Sequence, residues 1–547
     1  MMRRIFLCFL LAVATTALTG RPATAQLRGL GDQDPKAASI RKLASAIDAS
    51  LAATWKEQSI VPAAPADDGE YLRRVTLDLI GRTPRVAEAR EFLADANPDK
   101  RAAIVVKLLQ TPAHAVHSAA VTRGDWFNVG MDDFRRFDAI NRMQDWLRRE
   151  YAANTPQDEL VRKLLTAKVA VGQRGRAFDR SDDDETPFLA AYYQANDAKP
   201  ETIAATVSRT FLGIKLECAQ CHDHPFAPYT RDQFWQFAAF FGEFSALSPT
   251  SPSFVGPLFP QSDVNQIDIP NTPRTVTAQF LDGTEPEWTR DATPRQELAD
   301  WLLTPRNAYF ARNMANRLWA QLIGLGIINP IDEPGADNLP SHPELLDLLA
   351  RGFIQLGFDR HALIRAITMT RAYQLSSRQT DASQGDPRKM ARANLRGLTG
   401  HQVYDSFLAA AGQRDNSSRN EDFFNRNTSQ GRQQFTVLFG SLLPKPTESR
   451  TSILQSLMFM NGKQVADQTD VKTGVTLGAV IDAPFLTDEQ RLETLFLAAY
   501  TRPPTAGERQ KYLSLLDRAG TKPADRAQAL ADVFWVLLNS PEFGINH

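Results

Sequence analysis

The chain has 547 residues, 43% of them hydrophobic, and its 62 basic and 63 acidic side chains leave a formal net charge of -1. That length is enough for about two to four domains of ordinary size, each able to bury a core, and the charge balance gives no electrostatic case for nucleic acid or an anionic membrane. Three cysteines are too few for a disulfide scaffold, so stability has to come from packing.

In chain order, Arg3 and Arg4 precede an apolar run over residues 5–18, and Ala23-Thr24-Ala25 fits a small-residue cleavage site before Gln26. Residues 1–25 therefore read as a signal peptide. The run is too short to span a bilayer, and no later stretch approaches the ~20 apolar residues of a transmembrane helix. The expected mature protein is periplasmic or secreted. Arg3-Arg4-Ile5-Phe6-Leu7 also fits part of a twin-arginine signal, but the strongly apolar core favours export of the unfolded chain. Cys8 leaves with the signal.

Apolar residues at three- and four-residue spacing predict helices over 102–110, 202–214, 345–353, 362–370 and 530–538. Alternating strand patterns are scarce, so the expected fold is mostly α. Proline punctuates helix boundaries at Pro112, Pro305 and Pro541. Residues 77–84 with Glu88 echo residues 497–504 with Glu508, as a reused helix-turn-helix unit would. Two distant copies do not make a solenoid. Eight prolines in 248–294 predict an extended connector, with Phe254-Val255 and Thr275-Val276 as material for a small hairpin. The connector divides a helical domain over 26–247 from another over 295–547. A polar stretch over 414–434 reads as a surface loop.

One motif carries chemistry. Cys218-Ala219-Gln220-Cys221-His222 holds the two cysteines left after the signal, and it matches the c-type haem attachment pattern. Two thiols three places apart can add to the two vinyl groups of one haem, and the following histidine is placed to bind its iron. Haem c held by Cys218, Cys221 and His222 is the expected cofactor. His224 is a further candidate, as a metal ligand, an orienting donor or a backbone-bonded turn residue. Zinc or iron on Cys218, Cys221, His222 and His224 is the alternative, although four ligands within seven residues crowd one ion. A thiol-disulfide couple or a tight structural disulfide are others.

Residues 74–84, Asp99-Lys100-Arg101 and the stretch Phe211 to Phe226 with Phe240-Phe241 resemble the DUF1549 family, also called planctomycete cytochrome C domain 2. The second half resembles its usual partner, DUF1553, through residues 298–302, 310–312, Asn316-Arg317-Leu318-Trp319, Gly324-Leu325-Gly326, residues 340–347 and 538–543 with Asn546-His547. The resemblance implies an exported, mostly helical, two-part protein of a planctomycete-like bacterium. It implies no established activity.

Candidates for a second axial ligand are Met369, Met458, Met460, His342 and His401. Met458 and Met460 fit a core more simply. His342 follows a predicted N-cap, Ser341, and shapes a helix start. His401 stands where related chains carry an acidic residue. His114 and His117 read as surface residues past a helix end. Asn313, Asn316 and Arg317 share a helix face with Arg312 nearby, and with Asp332, Glu333 and Asp337 they form either a polar pocket or locking ion pairs. Related chains often have a histidine where this one has Gln321, which argues against a metal there. Residues 182–185 read as a solvated acidic loop.

No phosphate loop, His-Glu-x-x-His or Gly-x-Ser-x-Gly is present. The first expectation is a monohaem redox or electron-transfer protein with an unknown redox partner or extracellular substrate. The others are a helical binding or scaffold protein, or a non-haem metalloenzyme, using the Cys/His cluster.

Overall fold

The computed structural model describes residues 35–127, 134–168, 186–247, 264–288, 292–333, 335, 338–413 and 462–547. The signal segment, Phe254-Val255, residues 182–185, Asp337, the 414–434 stretch, Met458 and Met460 lie outside them.

Helix α1 (Ala37–Glu57) buries Ile40, Leu43, Ile47, Leu51 and Trp55, a stripe at three- and four-residue spacing. That stripe packs against helices Pro343–Gln355 and Arg360–Met369 from the far side of the proline-rich connector. The pattern is general. One large core joins Trp146, Phe211 and Phe240 to Trp319, Leu346 and Leu363, and a smaller one gathers Val403, Phe407, Leu492, Phe496 and Phe534 around Leu77. The described residues are predominantly helical, with two short two-stranded sheets.

Helix α2 (Asp68–Ile80) ties the halves together. Arg73 and Arg74 are buried and direct their guanidinium groups to backbone carbonyls, Arg73 to those of Ala499, Glu542, Phe543 and Ile545, Arg74 to those of Tyr373, Leu375 and His547. Asp78, 3% exposed, accepts from Arg396, Tyr373 Oη and Asn546 Nδ2, each at 2.8 Å. Burying charges of this kind is costly unless they are paired and hydrogen-bonded.

The internal echo is a repeated structure. Helix α2 ends at Gly81 (φ 72°) and is followed by α3 (Val86–Ala94), while helix Asp488–Tyr500 ends at Thr501 (φ 65°) and is followed by Ala506–Arg518. In each elbow an arginine grips the carboxylate six places on with both Nη atoms: Arg82 on Glu88 and Arg502 on Glu508, at 2.8 and 2.9 Å. Each glutamate also accepts the N-cap N–H at 2.8 Å. The copies touch, with Arg90 donating to Thr494 Oγ1. At Gly69 a Cβ would stand 2.8 Å from the Thr501 carbonyl oxygen, so only glycine allows this approach.

Several expectations shift. The helix predicted over 202–214 is an α-helix only over Pro200–Val207; a π-helical turn, Ser208–Leu212, follows and ends on Gly213 at φ 70°. Periodicity cannot register this wider turn. The connector's hairpin forms between Gln266–Asp268 and Thr275–Thr277, with Ile267 opposite Val276. His342, not Ser341, is the N-cap of helix Pro343–Gln355, while Ser341 hydrogen-bonds to Ile327. His114 and His117 are not surface residues past a helix end. They lie inside helix Pro112–Trp126, because Pro112 opens that helix at its first turn, where a missing N–H costs nothing. His114 Nδ1 donates to the Leu79 carbonyl, and His117 bonds that of Asp78, so both satisfy the C-terminal carbonyls of α2.

Candidate functional site

The motif follows the π-helical turn. Gly213 reverses the chain, and its absent Cβ leaves room for Asn313, which donates to the Thr210 carbonyl at 2.7 Å. A short 3-10 helix, Leu216–Gln220, then carries Cys218, held by buried Leu216 and Ala219. Cys218 is half-buried, Cys221 exposed, and both thiols are free. The loop beyond is fixed from three directions. Trp235 Nε1 donates to the Gln220 carbonyl at 3.1 Å, the Arg231 N–H donates to Asp223 Oδ1 at 2.9 Å, and the His224 N–H donates to the Tyr229 carbonyl at 2.8 Å.

The two histidines differ. His222 is exposed and its Nδ1 lies 2.7 Å from the Asp223 carbonyl oxygen; since a carbonyl only accepts, Nδ1 carries the proton and Nε2 keeps a lone pair. His224 Nε2 donates to the Lys215 carbonyl at 3.2 Å, and its Nδ1 accepts from the Phe226 N–H at 3.1 Å. Both of its ring nitrogens serve the turn. Among the described residues no three His, Cys, Asp or Glu side chains gather as a metal ion would need.

Behind the motif lies a cavity of about 430 Å³, lined by Trp126, Arg209, Lys215, Glu217 and Asp332 among others. Its wall is a charged knot between the two halves. Arg317 pairs with Asp125 at 2.5 Å and with Asp332, and donates to the Arg209 carbonyl. Arg209 donates to the Asp125 and Trp126 carbonyls, with Asp332 at 3.7 Å and Glu217 at 3.9 Å. Lys215 pairs with Glu333 at 3.0 Å. Burial pushes the Glu217 and Asp332 carboxyls above the usual carboxylate range, outweighing the arginines. Of the residues grouped in the sequence, Arg317 pairs with Asp332 and Glu333 with Lys215, whereas Asn313 holds the π-helical turn, Asn316 bonds the backbone of Ile327 and Ile328, and Arg312 pairs with Asp347. Arg209 and Asp125 were not anticipated; the one signal was a lone charge within the apolar pattern of 202–214.

The described second-ligand candidates have other surroundings. Met369 packs at the edge of the large core. His342 Nδ1 bonds Ser341 Oγ, with Arg388 and Asp386 as its charged neighbours. His401 lies on helix Gly400–Ala410.

Residues 46–246 match the family model PSCyt2, a protein of unknown function (DUF1549), and residues 294–441 match PSD1, a protein of unknown function (DUF1553). The chain is a DUF1549–DUF1553 protein. No curated protein and no solved structure matches it. In this DUF1549–DUF1553 protein the Cys-x-x-Cys-His loop belongs to the first family segment, and the cavity behind it is closed by Pro330 to Glu333 of the second. Among the described residues no helix is long and apolar enough to cross a membrane.

Proposed function

We propose that this DUF1549–DUF1553 protein is an exported c-type monohaem redox protein, with thioethers from Cys218 and Cys221 and iron bound by His222. The observation that carries the reading is the His222 tautomer: Nδ1 is occupied by the Asp223 carbonyl, which leaves Nε2 as the nitrogen for a metal. The residues fit the group. Both thiols are unpaired, and Cys221 and His222 face solvent, where the vinyl groups can be reached. When bound, haem would supply a one-electron couple whose potential depends on the second axial ligand and on burial.

The chain's own residues orient and insulate. Asp223 holds the loop through the Arg231 N–H, and Trp235 fixes the Gln220 carbonyl before Cys221. His224, with both nitrogens committed, is a turn residue in this reading. Residues 1–25 act as the export signal, since haem c is attached outside the cytoplasm, and the partner is a redox protein or an extracellular substrate.

A pyridine haemochrome spectrum tests this directly, on protein produced in a host with a cytochrome c maturation system. A c-type spectrum is the expected result. A colourless protein would sink the haem reading and leave a structural Cys/His loop or a zinc or iron site.

A further inference from the structure

A second cavity of about 240 Å³ lies beyond the Arg317 knot and shares Trp126 and Ile331 with the first. Its charged lining is Asp125, Arg317 and Arg360. Asp125 and Arg317 pair with one another, which leaves Arg360. One Nη of Arg360 donates to Gln321 Oε1 at 2.9 Å, its guanidinium carbon lies 5.1 Å from the centre of the Tyr151 ring, and its Nε is buried without a hydrogen-bond partner. Among the described residues no carboxylate forms an ion pair with it.

This is a poor place for a cation on stability grounds. Arg360 is the first residue of helix Arg360–Met369, at the positive end of the helix dipole. Arg360 is half-buried with no carboxylate in ion-pair contact, a costly setting for a cation, and burial pulls this guanidinium below the usual arginine range, offset only in part by Tyr151 and Asp125. Met314, Leu318 and Phe353 supply apolar lining to the same cavity. At 240 Å³ the space is below the ~300 Å³ at which drug-sized pockets begin.

We propose that this cavity binds a small organic monocarboxylate, its carboxylate on the Arg360 guanidinium and a short apolar body against Met314, Leu318 and Phe353. A carboxylate matches the planar N–H fork of arginine and supplies the paired anion that Asp125, engaged by Arg317, offsets only in part. The inference is independent of haem.

Calorimetric titration of the mature protein with benzoate, with benzamide as the uncharged control, tests it. Benzoate should bind one to one, benzamide should not, and Arg360→Gln should weaken benzoate binding by about tenfold or more. Without ligand, Arg360→Gln should melt no lower than wild type, because it removes a half-buried cation that no carboxylate pairs with. Arg360→Lys keeps the charge without the fork; it should fold and bind benzoate more weakly, and it stands in if the glutamine variant does not fold. Failure of wild type to bind benzoate, equal binding of benzamide, or unchanged affinity in the folded variants would overturn the proposal. A lower melting temperature with unchanged affinity would assign Arg360 to structure alone.

Discussion

Arg73, Arg74 and Asp78 on α2 are buried and spend most of their hydrogen bonds on the far half of the molecule, whereas Cys221 and His222 stand in solvent on a loop fixed by hydrogen bonds from Trp235 and Arg231 and to Tyr229. The contrast separates charge used for architecture from groups left available for chemistry. In α2 each donor finds a carbonyl or carboxylate; in the motif loop the thiols and His222 Nε2 find none among the described residues.

The largest way to break the contrast is Asp78→Ala. It strips Arg396, Tyr373 and Asn546 of a shared buried acceptor and should cost about 3–5 kcal/mol in urea unfolding; a loss below about 1 kcal/mol would mean the network is not structural.

Next comes pH. Burial pulls His114 down to about 3, and His117, His361 and His547 to about 4. Unfolded, each takes up a proton below its ordinary value of 6.5, while the folded chain refuses it until lower pH. Their contribution is therefore intact above pH 6.5 and lost as the pH falls towards 4, with a slope of about 1.4 kcal/mol per pH unit for each histidine. Urea midpoints between pH 7 and 5 should fall accordingly, and less steeply in His114→Asn; a flat profile would contradict the buried neutral histidines.

The two elbows offer a finer comparison. Arg502 grips Glu508 and also Glu542, whereas among the described residues Arg82 grips the carboxylate of Glu88 alone. Arg82→Ala should cost about 0.5–1 kcal/mol and Arg502→Ala roughly twice that; equal losses would deny the extra pair its weight. Glu508 is held near 2, first by its hydrogen bonds to Arg502, so that elbow should weaken as the pH falls from about 4.5 towards 2. Smallest of all, Cys218→Ala/Cys221→Ala should change the stability of the haem-free protein by less than about 0.5 kcal/mol, measured by thermal melting. A larger loss would make the pair structural.

Much of this was legible in the sequence because period and punctuation act locally. Pro112 and Pro343 fix helix starts, and the Leu346, Leu349 and Phe353 stripe forms as its spacing requires. The repeated Arg-x-Pro-x-x-x-Glu elbow was visible as an echo, and its geometry matches in both copies. What stayed hidden depends on long-range contacts. No local pattern says that Arg73 reaches Phe543, that His114 serves Leu79, or that Arg360 faces a cavity, since these depend on which elements meet across separations of 35 to 470 residues. The π-helical turn was missed because five residues cannot shift a hydrophobic period.

The most direct test of the central claim is the intact mass of the mature protein from a haem-maturing host, beside that of Cys218→Ala/Cys221→Ala. The account predicts a gain of one haem on the wild type that survives denaturation and is absent from the double variant. Wild type at its polypeptide mass would contradict it.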